Sequence, residues 1–322
     1  NAIRAALVST NSITQGEQVA LLWKPLFEHF HVHIDFAHRT FRWDSEASIK
    51  AHVHCVIVGF SVAENPAPKR IFDSAIGPEG MRCSSINAYL VDAPDVFIPS
   101  RSIPLCDVPE IGIGNKPIDG GNYLFTEAET EAFVKKEPAA AKFFRPWFGS
   151  EEFINRRSRY CLWLGECSPR ELHEMPECLA RVEAVRLFRL ASKSPGTRKL
   201  ADRPTHFHVE NMPDGNYILI PEVSSERRNY VPMGFMSPDT LCSNLVKLVP
   251  DATRYHFGIL TSLVHMAWMR AVCGRLETRY RYSKDIVYNN FPWPEASDGD
   301  KEKIGVLAQA ILDARALFPD CT

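Results

Sequence analysis

The sequence predicts a piece of an α/β sheet, then an α+β region, then a helical end. Three observations lead there: a strand–helix–strand rhythm over residues 5–60, a Pro- and Gly-dense middle with short strands, and apolar residues at three- and four-residue steps near the end. Ala5–Ser9 reads as a short apolar strand and Thr10–Gly16 as a polar turn. Val19, Leu22, Trp23, Leu26 and Phe30 recur at helical spacing over Glu17–Phe30. Val32–Phe36 and Ala51–Phe60 are two further strands, the second rich in Val and Ile, as suits a sheet covered on both faces. One such unit is less than a doubly wound domain. The first strands of that sheet, and the glycine-rich loop expected after the first, are not in the sequence, which opens without Met inside an apparent buried strand. A piece of a longer chain would read this way.

Glu64–Lys69, with two prolines, is a linker-like break. Beyond it, to about Pro250, short strands (Ala88–Val91, Tyr160–Leu164, Tyr217–Ile220) alternate with helices (Glu127–Lys136, Ala139–Phe144, Pro169–Ala191) and long irregular connections, a build that presents loops. Leu260–Leu276 is apolar on most sides and reads as a buried helix, and Ile304–Phe318 as an amphipathic one. The chain therefore divides at 1–66, 67–250 and 251–322.

No apolar run is long enough to span a bilayer, and the start has none of the three regions of a signal peptide. Nine cysteines without a Cys-x-x-Cys pair argue against a disulfide framework or a structural zinc site. Cys161 and Cys167 read as packing residues, and reduced thiols fit the cytoplasm. Net charge is −2, so bulk charge says nothing for nucleic acid. Basic residues nonetheless cluster at Lys142–Arg159, Arg186–Arg203, Arg227–Arg228 and Arg270–Lys284, which permits phosphate binding without requiring it.

Four segments carry chemistry. Leu7–Gly16 ends a strand in hydroxyl and amide residues, at the edge where α/β sheets bind ligands; a helix N-cap is the simpler reading. Phe36–Ala47 reads as an exposed aromatic loop whose Phe41 and Trp43 could stack an extruded base, or close the core. His52 and His54 share a strand face but lack a third metal ligand. Arg145–Leu164 brings Arg156, Arg157 and Arg159 into a loop before an aromatic strand, suited to phosphate contact or to plain solvation. In Ile220–Phe235, Glu226, Arg227 and Arg228 stand side by side. In a major groove Arg donates to guanine O6 and N7 and Glu accepts from cytosine N4, so one Glu and one Arg can read a C·G pair. A local salt bridge explains the same residues equally well.

Taken together, Ala6–Gly16, Ala51–Phe60, Gly149–Ile154 with Arg159–Leu164, Ser224–Arg228, Phe257–Arg270 and Gly274–Ser283 running into Tyr288–Pro294 resemble the MmeI-type (type IIL) restriction–modification enzymes. That family joins an endonuclease, an S-adenosylmethionine-dependent adenine methyltransferase, a target-recognition domain and a helical C-terminus. The resemblance implies that residues 1–66 are the tail of a Rossmann-like methyltransferase sheet, 67–250 the recognition domain and 251–322 the helical domain. Neither the family's methyl-donor glycine motif nor its Asn-Pro-Pro-aromatic motif occurs here, and Asn290-Phe-Pro-Trp293 belongs to the C-terminal motif. The implied parent methylates adenine N6 without a metal, with Mg²⁺ needed only for a linked nuclease, and this piece alone is expected to bind DNA but not to methylate it.

The resemblance places Phe41 and Trp43 near the flipped adenine and base readout at Glu226 and Arg228. Arg227 is then expected on the DNA backbone, as are Arg156, Arg157, Arg159, Arg275, Arg279, Arg281 and Lys284. Double-stranded DNA is the implied partner, with a second copy of the chain at the truncated sheet edge. A protein- or RNA-binding module derived from a methyltransferase, and an RNA methyltransferase of the same fold, are the alternatives.

Overall fold

The computed structural model describes residues 3–44, 52–63 and 65–318; residues 45–51, which include the end of the aromatic segment and Ala51 of the expected third strand, and Glu64 of the linker-like break lie outside them. β1 (Arg4–Thr10) passes through a 3-10 turn, Asn11–Thr14, into α1 (Glu17–Phe30). The helix is capped by Gly16 at φ +58 and by no side chain, so the Ser/Thr run is not its N-cap. The Gly16 amide donates to the Val272 carbonyl at 3.2 Å, and a Cβ there would press on the Gly274 backbone at 3.3 Å. Val19 and Trp23 bury the inner face of α1, and the Trp23 indole donates to the Ile13 carbonyl at 2.7 Å.

β2 (His33–Asp44) runs well past the expected Phe36 and pairs with β3 (His52–Ser61); β4 (Lys69–Phe72) and β5 (Met81–Cys83) follow. The sheet order is β1-β3-β2-β4-β5. β1 and β2 are both antiparallel to β3, so α1 crosses over between two parallel strands with β3 inserted between them. β1 has a partner on one side only among the described residues, and it is exposed rather than buried as expected: Leu7 and Val8 keep 59% and 53% of their surface. Ala88–Val91 is a turn, not a strand. The Asn87 side chain accepts the amides of Tyr89 and Val91 at 3.0 and 3.2 Å, and Leu90 sits at φ +57.

β6 (Gly112–Ile113) and β7 (Leu124–Thr126) precede α2 (Glu127–Lys136), which has the expected bounds and a Thr126/Glu129 capping box. Where a helix Ala139–Phe144 is expected, a 3-10 turn leads into β8 (Phe144–Phe148), then α3 (Ser150–Asn155) and β9 (Arg159–Leu162). The expected helix Pro169–Ala191 is two, α4 (Pro169–His173) and α5 (Pro176–Leu190), because Pro176 cannot continue a helical ladder but suits a first turn. α6 (Pro195–Lys199), β10 (Tyr217–Pro221), β11 (Val223–Ser224), β12 (Gly234–Met236), β13 (Leu241–Cys242) and β14 (Val246–Pro250) come next.

The expected long helix Leu260–Leu276 is α7 (Arg254–Leu260) and α8 (Leu263–Val272). Ser262 starts the second by accepting the His265 amide, and β15 (Gly274–Leu276) and β16 (Arg279–Arg281) follow it as a hairpin. α8 buries Met266, Met269 and Val272 but exposes Leu263 and Val264. α9 (Asp298–Ala316) docks Ile304 and Ala308 near Gly258 and leaves Leu307, Leu317 and Phe318 exposed.

The elements form two compact units, each gathered from distant stretches: Asn1–Val108 with Val223–Tyr230 and Ser262–Pro294, and Pro109–Glu222 with Val231–Thr261 and Glu295–Thr322. These cut across the three-segment division by chain order. The first holds the five-stranded sheet, with a core of Val19, Trp23, Ile34, Val56, Val58 and Ile71, and the three-stranded sheet β11-β16-β15. Asn289 and Asn290 tie the segment near 100 into it, donating to the carbonyls of Arg101 and Pro99 at 2.7 and 3.0 Å. The second holds two four-stranded sheets, β12-β10-β14-β6 and β13-β8-β9-β7. Its larger core includes Cys161, with Cys167 packed beside it as expected.

Candidate nucleic-acid interface

Strand pairing brings two of the basic segments together. β11 pairs with β16, setting Val223 opposite Arg281 and Ser224 opposite Tyr280. The segment expected to read bases thus leaves the same small sheet that carries Arg275, Arg279 and Arg281. Immediately after β11 the chain turns: the Arg228 amide donates to the Ser225 carbonyl at 3.1 Å, and the Arg227 amide to the Ser225 hydroxyl at 3.2 Å. Ser225 is a residue type that closes such turns on its own backbone. Glu226 and Arg227 are exposed at the tip, and Arg228 is half-buried. No ion pair within 4.0 Å holds Glu226, Arg227 or Arg228 among the described residues, so the local salt bridge that competed for these residues is not made.

The cations on the sheet and just after it are held in different ways. Register sets Arg275 opposite Tyr280, and its guanidinium lies 4.2 Å from the centre of that ring while donating to the Arg270 carbonyl at 3.0 Å. Arg279 pairs with Glu277 at 3.0 Å and Lys284 with Asp285 at 2.6 Å. Such surface pairs contribute ~0–1 kcal/mol, so phosphate can displace the carboxylate at little cost. Arg281 is exposed.

Arg156, Arg157 and Arg159 belong to the other unit. Arg156 ends α3 in the left-handed region at φ +51. Arg157 pairs with Glu151 at 2.6 Å. Arg159 pairs at 3.1 Å with the buried Glu152, whose second oxygen accepts the Gly149 amide at 2.9 Å. Arg159 therefore completes the cap of α3.

Phe41 and Trp43 lie on β2, not on a loop, opposite Cys55 and Val53, with ring centres 6.2 Å apart. Both alternatives for them need adjusting. Trp43 keeps 51% of its surface, so it does not close the core; Phe41 borders an open cleft of 640 Å³ with His38, Arg42 and Phe72. The His38 ring stacks on Phe72 at 4.5 Å. The Arg42 guanidinium, and after it the His52 ring, hold the Asp44 carboxyl below its usual range. Sequence reading missed His38 and Phe72 because it did not foresee the pairing of β2 with β4.

β1 runs into the Asn11–Thr14 turn, and among the described residues no glycine-rich loop follows it. Among the described residues no group of three or more His, Cys, Asp or Glu could hold a metal ion, and no helix is long and apolar enough to cross a membrane.

The α/β sheet and the small sheet that presents the basic turn thus belong to one unit. The model of the MmeI target recognition domain matches residues 92–295, and that of the MmeI DNA-methyltransferase domain residues 1–73. The chain belongs to the MmeI family. It is 41% identical to DNA methyltransferase A of Bacillus subtilis (strain 168), over 97% of this chain and 35% of that protein. A solved structure of the type IIL restriction-modification enzyme MmeI in complex with DNA superposes with a TM-score of 0.94 at 45% identity, over 99% of this chain and 43% of that one. The chain thus spans less than half the length of either relative.

Proposed function

We propose that this chain reads DNA sequence for an S-adenosylmethionine-dependent methyltransferase acting on adenine N6. It binds duplex DNA through the Glu226–Arg228 turn and the adjoining basic sheet. The observation that carries the reading is the β11–β16 pairing, which joins the turn of the exposed Glu226 and half-buried Arg228, neither held by an ion pair among the described residues, to the strand of Arg279 and Arg281. Arg228 donates to guanine O6 and N7 and Glu226 accepts from the paired cytosine N4. Arg227, Arg279, Arg281 and Lys284 meet the backbone, and Arg156 and Arg157 supply further phosphate contacts. Phe41 and Trp43 stand by the extruded adenine. The chain alone transfers no methyl group; the donor and the catalytic motif are supplied by the rest of the enzyme, as is any Mg²⁺-dependent nuclease. The exposed edge of β1 offers a pairing surface to a second copy.

The test is selection of randomised duplexes by the chain at low salt. Glu226→Ala with Arg228→Ala should reduce discrimination at one base pair by about 10- to 100-fold, the range for one bidentate contact. Unchanged discrimination, or no binding by the unaltered chain, refutes the reading.

A further inference from the structure

Two-point readout of a base needs a guanidinium held in register, yet among the described residues no hydrogen bond or ion pair holds the Glu226 or Arg228 side chain. What fixes the turn is its main chain. On one side Ser224 pairs with Tyr280. On the other, the Asn229 carbonyl, one residue past Arg228, accepts a hydrogen bond from Nη2 of Arg270. Arg270 stands in the last turn of α8, which is itself firmly set. Met266, Met269 and Val272 are buried, the Trp268 indole donates to the Val287 carbonyl at 2.8 Å, and the His265 ring bonds the Tyr282 hydroxyl at 2.9 Å. Arg275 joins the two sides, stacking on Tyr280 while donating to the Arg270 carbonyl. Ser224, Tyr280, Arg275, Arg270 and Asn229 therefore close a ring of contacts around the turn.

We propose that Arg270 is a positioning residue for sequence discrimination, an inference that rests on the turn being the reading element. It acts through the Asn229 carbonyl and does not contact DNA. An arginine on a DNA-binding face is ordinarily a phosphate ligand, but this one spends its guanidinium on a main-chain oxygen. Loosening that anchor lets the turn swing, and a bidentate contact to a guanine edge tolerates little swing.

The experiment compares the unaltered chain, Arg270→Met, Arg270→Lys and the double variant Glu226→Ala/Arg228→Ala. It measures base preference at each site position, the salt dependence of affinity and thermal unfolding. Arg270→Met should lose about tenfold discrimination at the base pair that the double variant affects, and there alone. Its salt dependence should match the unaltered chain, and Arg270→Lys, which can still reach a carbonyl, should recover most of the loss. A uniform fall in affinity with a salt slope shallower by ~0.9 would make Arg270 a phosphate contact and overturn the proposal. So would a lowered unfolding temperature with preference lost at every position, or no effect. If the double variant keeps its preference, the reading beneath fails and takes this inference with it; if only Arg270→Met does, the inference alone fails.

Discussion

Replacing Arg189 by Met should unfold the second unit's connections. Arg189 is 0% exposed in the last turn of α5 and has no ion pair among the described residues. Its guanidinium instead uses all five N–H groups on main-chain carbonyls. Nε donates to Ile118, Nη1 to Leu200 and Arg203, and Nη2 to Pro117 and His206, at 2.8 to 3.0 Å. Each hydrogen bond to a charged group contributes ~1.5–3 kcal/mol, so the gross loss is of order 10 kcal/mol. Against this, Met removes the cost of keeping a cation out of water, several kcal/mol, and fills much of the same volume. A net loss of ~3–5 kcal/mol remains, as for breaking a buried charged network from one side. Urea unfolding gives the total, and hydrogen exchange should show the amides around 117–123 and 200–206 losing protection first. Arg189→Lys should not rescue, since three donors on a point charge cannot serve five carbonyls. A loss below ~1 kcal/mol, or a lysine variant as stable as the arginine one, would refute the reasoning.

Burial holds the His265 imidazole down at about 3, below its ordinary 6.5, so it is neutral in the fold. A depressed histidine favours the fold above the unfolded value, and that stability is lost as pH falls from 6.5 towards 3, by ~1.4 kcal/mol per pH unit. Denaturation of His265→Gln over pH 6.5 to 5, before the carboxylates titrate, should show a flatter slope; an unchanged one counts against the assignment. If the β1 edge pairs copies of the chain, sedimentation should show a concentration-dependent dimer. Leu7→Lys, placing charge on that strand, should then weaken it by about tenfold or more; a monomer at all concentrations would rule the pairing out.

Local chemistry decided the structure at several points, and the sequence reading caught it at some of them. α2 fell at its expected bounds because Thr126 and Glu129 write its start. Pro176 and Ser262 each divided a helix that apolar spacing had drawn as continuous. Periodicity records which face is apolar, not where a cap has been placed inside the run. β1 misled in the opposite direction: its residues are those of a covered strand, but no described element covers them. The basic runs at 227–228 and 275–284 were legible one by one. Their adjacency was not, since it comes from pairing two-residue β11 with a strand some fifty residues on, and so short a strand carries no period of its own. Arg270 stood at the end of a motif and gave no sign of its partner, because a main-chain carbonyl leaves no mark on sequence.

Among the described residues, the hydrogen bonds that hold residues 224–229 all use a backbone group or a Ser hydroxyl of the turn: the β11 ladder, the Ser225 carbonyl and hydroxyl, the Asn229 carbonyl. None requires Glu at 226 or Arg at 227 and 228. Exchanging those three therefore costs the fold little, within the ~0.5 kcal/mol usual for surface positions, while changing the hydrogen-bond pattern offered to a base edge. Arg159 shows the opposite arrangement: its carboxylate partner is buried and caps a helix, so its side chain is committed to the fold. On the proposed reading, variation in what is read belongs at 226–228, and the residues that must stay are those that grip the turn from behind: Ser225, Arg270 and the Arg275–Tyr280 pair.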